Sequence, residues 1–263
     1  KELNARLFVR NTKEVKLSDD GKDLYRYARQ MIDLQKKIEE RFETGKEESK
    51  HLITIAASTI PAQYILPKIL MKFNERYPKE QVKLLETDSS QVVTQIIDHM
   101  VDVGFTGTVL EKKHCKYIPF YKDELVVITP NTEKYQKLLE DMPDDISWIG
   151  GEHLIMREEG SGTRKEAGKQ LRAAGINLDK LKIIASIENQ ETIKKSVKQG
   201  MGISVISRLA AEDEVKYGDL LAFSIPKADQ GRDINLVYNK NYQMSKSTER
   251  FVKIVKEVYG IEE

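Results

Sequence analysis

The chain has 263 residues, 40% of them hydrophobic, enough for more than one core at roughly 100–200 residues per domain. A net charge of +1 excludes a uniformly basic nucleic-acid coat and leaves room only for a local basic patch. The single cysteine, Cys115, excludes an internal disulfide, the start KELNARLFVR has no signal-peptide core, and no apolar run is long enough for a bilayer. The chain is therefore expected to be cytoplasmic, with no membrane partner.

At the start of the chain, Lys1, Arg6, Arg10, Lys13 and Lys16 gather positive charge against Glu2 and Glu14. Val15 and Leu17 alternate with charge, as in a short hairpin strand. From Ser18 to about Thr44 the period becomes helical. Leu24, Ala28, Met31, Gln35, Ile38 and Phe42 fall four and three apart, a seam that predicts dimerisation through a second helix. Ser18 is the expected N-cap, with Asp19 and Asp20 in the first turn. At ~1.5 Å per residue this helix would be roughly 40 Å long. The polar, Gly45-bearing stretch up to Lys50 reads as a hinge.

A different pattern follows. Strands are expected at Leu52–Ala57, Val82–Glu86, Val101–Phe105 and Leu125–Thr129, with helices at Ile60–Tyr77 and Ser90–His99 between them. The second half repeats the theme. Its expected strands are Leu154–Met156, Leu181–Ser186, Ile203–Ile206 and Ile234–Tyr238. Its helices are Thr163–Ala174, Glu191–Gln199, Arg208–Val215 and Lys246–Tyr259. This order predicts an α/β fold of two lobes with mainly parallel sheets. The expected segments are 1–17, a helix over 18–44, a hinge over 45–50, a first lobe from 51–123 and 244–263, and a second lobe from 124–243. Ligands bind where lobes meet and beyond the C-terminal ends of parallel strands.

Several polar turns fall at such strand ends. Glu158-Glu159-Gly160-Ser161-Gly162-Thr163-Arg164 opens a helix, and Thr163 with Glu166 reads as a capping box. Unpaired helix N–H groups, the hydroxyls of Ser161 and Thr163 and the side-chain-free Gly162 suit a small oxyanion. Ser58 and Thr59 follow a strand and open a helix in the same way, Thr108 follows Val101–Phe105, and Asn189 of Glu188-Asn189-Gln190 is expected on the far wall. His51, His99, His114 and His153 show no metal-ligand spacing, and His114-Cys115 reads as a surface or strand-edge position. Ser161 lacks the spacing of a nucleophile elbow, and no His follows it. No catalytic residue, metal or resident cofactor is expected.

The stretch Leu7-Phe8-Val9-Arg10-Asn11-Thr12-Lys13-Glu14-Val15-Lys16-Leu17-Ser18-Asp19-Asp20-Gly21 resembles the wing and linker helix of LysR-type transcriptional regulators. Val197-Lys198-Gln199-Gly200-Met201-Gly202-Ile203 is similar to that family's Val-x-x-Gly-x-Gly-Ile turn, and Ser58 falls where the family places a Ser or Thr against its effector. The resemblance covers residues 7–263 and implies a two-lobed effector domain of the type II periplasmic-binding-protein fold, preceded by a wing remnant (1–17) and a linker helix. Most of the winged helix-turn-helix would lie upstream. It also implies promoter double-stranded DNA and self-association into dimers and tetramers as partners. The effector would be a small anion, such as sulfate or a carboxylate, held by Ser58, Thr59, Thr108, Ser161, Gly162, Thr163 and Asn189. Arg6, Arg10 and Lys13 would contact DNA phosphate. The Ser58-Thr59, Gly107-Thr108 and Ser161-Gly162-Thr163 combination looks like the sulfur-metabolism branch, although Ile60 and Pro61 depart from the cysteine-regulon activators. The rival reading is a transporter's solute-binding protein with the same lobes, which predicts neither basic wing nor linker seam.

Overall fold

The computed structural model describes residues 5–10, 15–42, 52–141, 145–226 and 231–261. The hinge over 45–50 and Lys13 lie outside the described residues. Strands β1 (Phe8–Arg10) and β2 (Val15–Leu17) form an antiparallel hairpin with Phe8 opposite Leu17 and Arg10 opposite Val15. Helix α1 (Asp19–Phe42) follows directly. Ser18 joins the two: its amide donates to the Leu7 carbonyl at 3.0 Å, its hydroxyl donates to the Arg6 carbonyl, and the same oxygen accepts from the Gly21 amide at 2.9 Å. This is N-capping that also holds the hairpin. Along α1, Met31 is 73% exposed, and Ile32, Leu34 and Ile38 are about half exposed, so the seam is open in the single chain.

The remaining elements run in chain order as β3 (Leu52–Ala57), a π-helical turn (Pro61–Ile65), α2 (Leu66–Arg76), β4 (Gln81–Glu86), α3 (Ser89–Ile97), β5 (Val103–Thr106) and β6 (Cys115–Asp123). Then come β7 (Leu125–Pro130), α4 (Glu133–Asp141), β8 (His153–Met156), α5 (Gly162–Ala173), β9 (Lys182–Ser186), α6 (Gln190–Lys198), β10 (Ile203–Ser207), α7 (Arg208–Lys216) and β11 (Leu220–Ser224). The chain returns through β12 (Arg232–Asn239) and ends in α8 (Lys246–Tyr259). The single helix expected over Ile60–Tyr77 is two pieces. Pro67 has no N–H and its ring crowds the preceding turn, and the Leu66 amide reaches back five residues to the Pro61 carbonyl.

There are two five-stranded sheets, ordered β4-β3-β5-β12-β6 and β11-β7-β10-β8-β9. Both are mixed, each with four strands running one way and one reversed. β4, β3 and β5 are parallel, as are β9, β8 and β10, but β12 runs against both its neighbours and so does β7. The reason is topological. Strands of βαβ units end at the junction of the lobes, whereas β7 and β12 begin there, each having just crossed from the other lobe. Because β12 lies in the first sheet, the chain returns to the first lobe before Arg232, earlier than the expected 243/244 boundary.

The core follows the strand alternation. In β7, Val126 and Ile128 join the apolar cluster of Ile53, Ile55, Phe73, Phe105 and Phe251, which continues into the second lobe through Ile193 and Val197 of α6. Leu125 and Val127 point to the opposite face, with Leu154, Leu171, Ile203 and Phe223. Cys115 starts the edge strand β6 and is buried beside Val92 and Ile96, where burial pushes its thiol up to about 11. Among the described residues no helix is long and apolar enough to cross a membrane.

The hairpin–helix joint depends on Gly21. A Cβ there would stand 2.0 Å from the Leu7 carbonyl oxygen. In an exposed helix Gly→Ala gains about 1 kcal/mol. Here the sign reverses: Gly21→Ala is expected to pry β1 from α1. Hydrogen exchange checks this at the Ser18 amide, whose protection is lost in the variant while the amides of β3 and β8 keep theirs.

Candidate ligand site between the lobes

The ends of three parallel strands and the start of one antiparallel strand meet at a single space. Ser58 and Thr59 follow β3, Thr87 and Asp88 follow β4, Arg157 and Glu158 follow β8, and Arg232 opens β12; Ser161, Gly162 and Thr163 open α5 beside them. The free volume there is about 20 Å³, room for one water at roughly 10–15 Å³ each. The two lobes touch across it, through Arg157 to Thr59 and Arg232 to Thr163. Gly162 makes that approach possible, since a Cβ there would lie 2.8 Å from both Ser89 Oγ and Thr108 Oγ1.

Two of the helix starts that face the space are capped by side chains, whereas the one after Ser58 and Thr59 has no side-chain cap. Asp88 Oδ1 accepts from the Ser90 and Gln91 amides at 2.8 and 3.0 Å. Ser161 Oγ accepts from the Arg164 amide at 3.4 Å. The capping box expected of Thr163 and Glu166 does not form. The helix begins earlier, with Ser161 as its cap; Thr163 is buried and accepts from Arg232 Nη1 at 3.0 Å, and Glu166 accepts from Gln170 at 3.0 Å. Thr163 therefore meets a guanidinium from the first lobe instead of its own helix.

Two buried arginines dominate the electrostatics. Arg232 is held by Asp123, with Nε and Nη2 at 2.8 and 2.7 Å from Oδ2, and the Ser207 hydroxyl donates to the other carboxylate oxygen. Asp123 and Arg232 are 1% and 5% exposed, so this pair is fully desolvated. Arg157, 6% exposed, makes a two-pronged contact with Glu158 through Nε–Oε2 at 2.8 Å and Nη2–Oε1 at 2.9 Å, and Nη2 reaches Thr59 Oγ1 across the lobes at 3.4 Å. At the neighbouring crossover Arg208 grips Glu124 and holds its carboxyl below the ordinary range.

The structure thus gathers Ser58, Thr59, Ser161, Gly162 and Thr163 around one space. Thr108 stands just outside it, its hydroxyl 3.5 Å from the Gly162 carbonyl oxygen. Asn189 is not in the lining. Its Oδ1 caps α6, accepting from the Thr192 amide and hydroxyl at 2.9 and 3.1 Å. The adjoining Gln190 is buried with neither amide atom partnered among the described residues. Arg157 and Arg232 were not singled out by sequence reasoning. Arg157 directly follows a predicted strand, so the rule that selects Ser58 reaches it too. Arg232 carries no comparable local signal, because its place depends on β12 crossing into the first sheet. At the basic end of the chain Arg6 is exposed and Arg10 closes β1.

Two α/β lobes with a polar cleft, carried behind a basic hairpin and a long helix, define a ligand-binding sensor domain with an attached connector. The description "LysR substrate binding domain" matches residues 46–260, and the chain belongs to that family. It is 28% identical over 251 residues to the HTH-type transcriptional regulator YeiE of Escherichia coli K12, covering 95% of this chain and 82% of that protein. It is 25% identical over 259 residues to the HTH-type transcriptional regulator CysL of Bacillus subtilis strain 168, covering 98% and 85%. The fold superposes on the regulatory domain of CcmR from Synechocystis PCC6803, solved in complex with 2-PG. There the TM-score is 0.70 at 24% identity, over 80% of this chain and 97% of that one. These relatives are transcriptional regulators, not enzymes, and the transporter reading is not favoured.

The Asp123–Arg232 pair supplies a stability test. Breaking a buried pair by removing one charge leaves the other unpaired in low dielectric. Asp123→Asn should lower unfolding free energy by about 3 kcal/mol, read from urea denaturation. Glu124→Gln, at the exposed neighbouring pair, should change it by less than about 1 kcal/mol.

Proposed function

We propose that the cleft binds a small anion as effector, and that this changes how an oligomer of the regulator holds promoter double-stranded DNA. One observation carries the reading: Arg157 and Arg232 converge with the hydroxyls of Ser58, Thr59, Ser161 and Thr163 on one space between the lobes. Buried guanidiniums with hydroxyl and backbone donors are the chemistry of oxyanion recognition. In this reading Ser58, Thr59, Ser161, Gly162 and Thr163 touch the effector, with Thr108 and Asn189 behind them. Sulfate and small carboxylates are the first candidates. The Ser/Thr/Gly turns and the similarity to CysL support the sulfur-metabolism branch.

The hairpin acts as the wing of a winged helix-turn-helix, and Arg6, Arg10 and Lys13 tether phosphate without reading bases. The linker helix α1 pairs dimers through Leu24, Ala28, Met31, Gln35, Ile38 and Phe42, and dimers assemble into tetramers. The exposure of Met31 and Ile38 supports this pairing. A cytoplasmic location follows from the DNA partner.

Two measurements test the proposal. Ser58→Ala combined with Thr163→Ala should abolish the rise in melting temperature that sulfate, thiosulfate or a small carboxylate gives the parent chain; retained stabilisation removes both residues from the site. Met31→Glu with Ile38→Glu should reduce the mass seen by light scattering to that of a monomer, and an unchanged mass refutes pairing through this seam.

A further inference from the structure

The Arg157–Glu158 pair differs in kind from Arg232–Asp123. Asp123 and Arg232 are 109 residues apart and tie the exit from the first lobe to the return into it. Arg157 and Glu158 are adjacent in sequence, so their ion pair closes no loop and ties no two elements together. Yet it has the strongest geometry available to a guanidinium, two parallel N–H donors on two carboxylate oxygens. It also lies in the wall of the ligand space, and Arg157 touches Thr59 of the opposite lobe. The partners are unequally buried: the Arg157 side chain is 6% exposed and the Glu158 side chain 22%. The glutamate side is thus the more open to solvent of the two.

We infer that Glu158 is a resident counter-ion, occupying on Arg157 the place of the effector's oxyanion. Binding exchanges one carboxylate for another two-oxygen group, a carboxylate or a tetrahedral sulfate or phosphate, and Glu158 swings out to solvent. This rests on the reading that the cleft is the effector site. Glu158 lines that space together with Arg157. It also sets the selectivity. A buried guanidinium is strongly disfavoured without a counter-charge, so only an anion can release Glu158, and a neutral isostere cannot. Glu158 weakens every anion by the strength of its own contact.

The test is isothermal titration of sulfate and, separately, acetate into the full chain and its variants. Glu158→Gln should bind one or both at least about tenfold more tightly than the parent, because Arg157 is then left without its charge partner. Glu158→Ala should do the same, and guards against a glutamine that refills the gap. Circular dichroism should show both variants folded, with lower melting temperatures that added anion restores. Adding Arg157→Met to either variant should remove the gain. Equal or weaker binding in both Glu158 variants, with the parent still binding, overturns the displacement and leaves the cleft reading standing. A tenfold gain that survives Arg157→Met overturns the displacement, and no binding in any of these proteins overturns both. A gain for sulfate but not acetate marks the tetrahedral class, and the reverse marks the carboxylate class.

Discussion

The buried Asp123–Arg232 pair is the constraint on which the two-lobed arrangement depends. Taking both charges out of water costs several kcal/mol per ion, and their attraction repays this only when the remaining donors and acceptors are satisfied. Here they are, by Ser207 on the carboxylate and Thr163 on the guanidinium. The four residues come from the end of β6, the start of β12, the end of β10 and the first turn of α5. Satisfying one ion pair thus specifies where both chain crossovers lie and where α5 points its N-terminus. The polar ends of β3, β4 and β8 then have no choice but to face one another.

A second joint is built on different physics. Hairpin and linker helix are coupled by three hydrogen bonds through Ser18 and by the absence of a side chain at Gly21, with little buried apolar surface. Phe8, Val9 and Val15 remain exposed. Such a joint is rigid while its few bonds last and opens as a unit when one is lost.

Much of this was legible in the sequence. The periodicity of Ser18–Thr44, the strand Leu52–Ala57 and the helix Lys246–Tyr259 were readable because one pattern dominates each segment without interruption. β6 was missed because Pro119 and mixed charge blur its alternation. α4 was missed because only Tyr135, Leu138 and Leu139 mark its apolar side, and β11 because its LLAFS run shows no apolar–polar alternation. At the site, hydroxyls following strands could be found by local rules. The antiparallel entry of β12, and with it Arg232, could not, because strand direction here follows from which lobe the chain has just left. The capping role moved from Thr163 to Ser161 for a related reason: a tertiary partner, Arg232, competes for the Thr163 hydroxyl more strongly than its own helix does.

These contacts also set the size of any signal the cleft can send. Among the described residues, three of the hydrogen bonds that cross between the lobes lie at or beside the ligand space: Arg157 to Thr59, Thr108 to the Gly162 carbonyl and Arg232 to Thr163. At a net of about 1 kcal/mol each, the closed arrangement owes them about 3 kcal/mol. A ligand moves the lobes only by the difference between what it gives the closed and the open arrangement. An anion that replaced these contacts one for one would bind and signal nothing. One that breaks all three, while gaining contacts only the open arrangement offers, shifts the equilibrium by a factor of order 100. By linkage, the same factor would appear in a ligand's own affinity wherever a second partner selects one arrangement. A cleft with more interlobe bonds would signal more steeply and be harder to open, and one with fewer would open freely and carry little information.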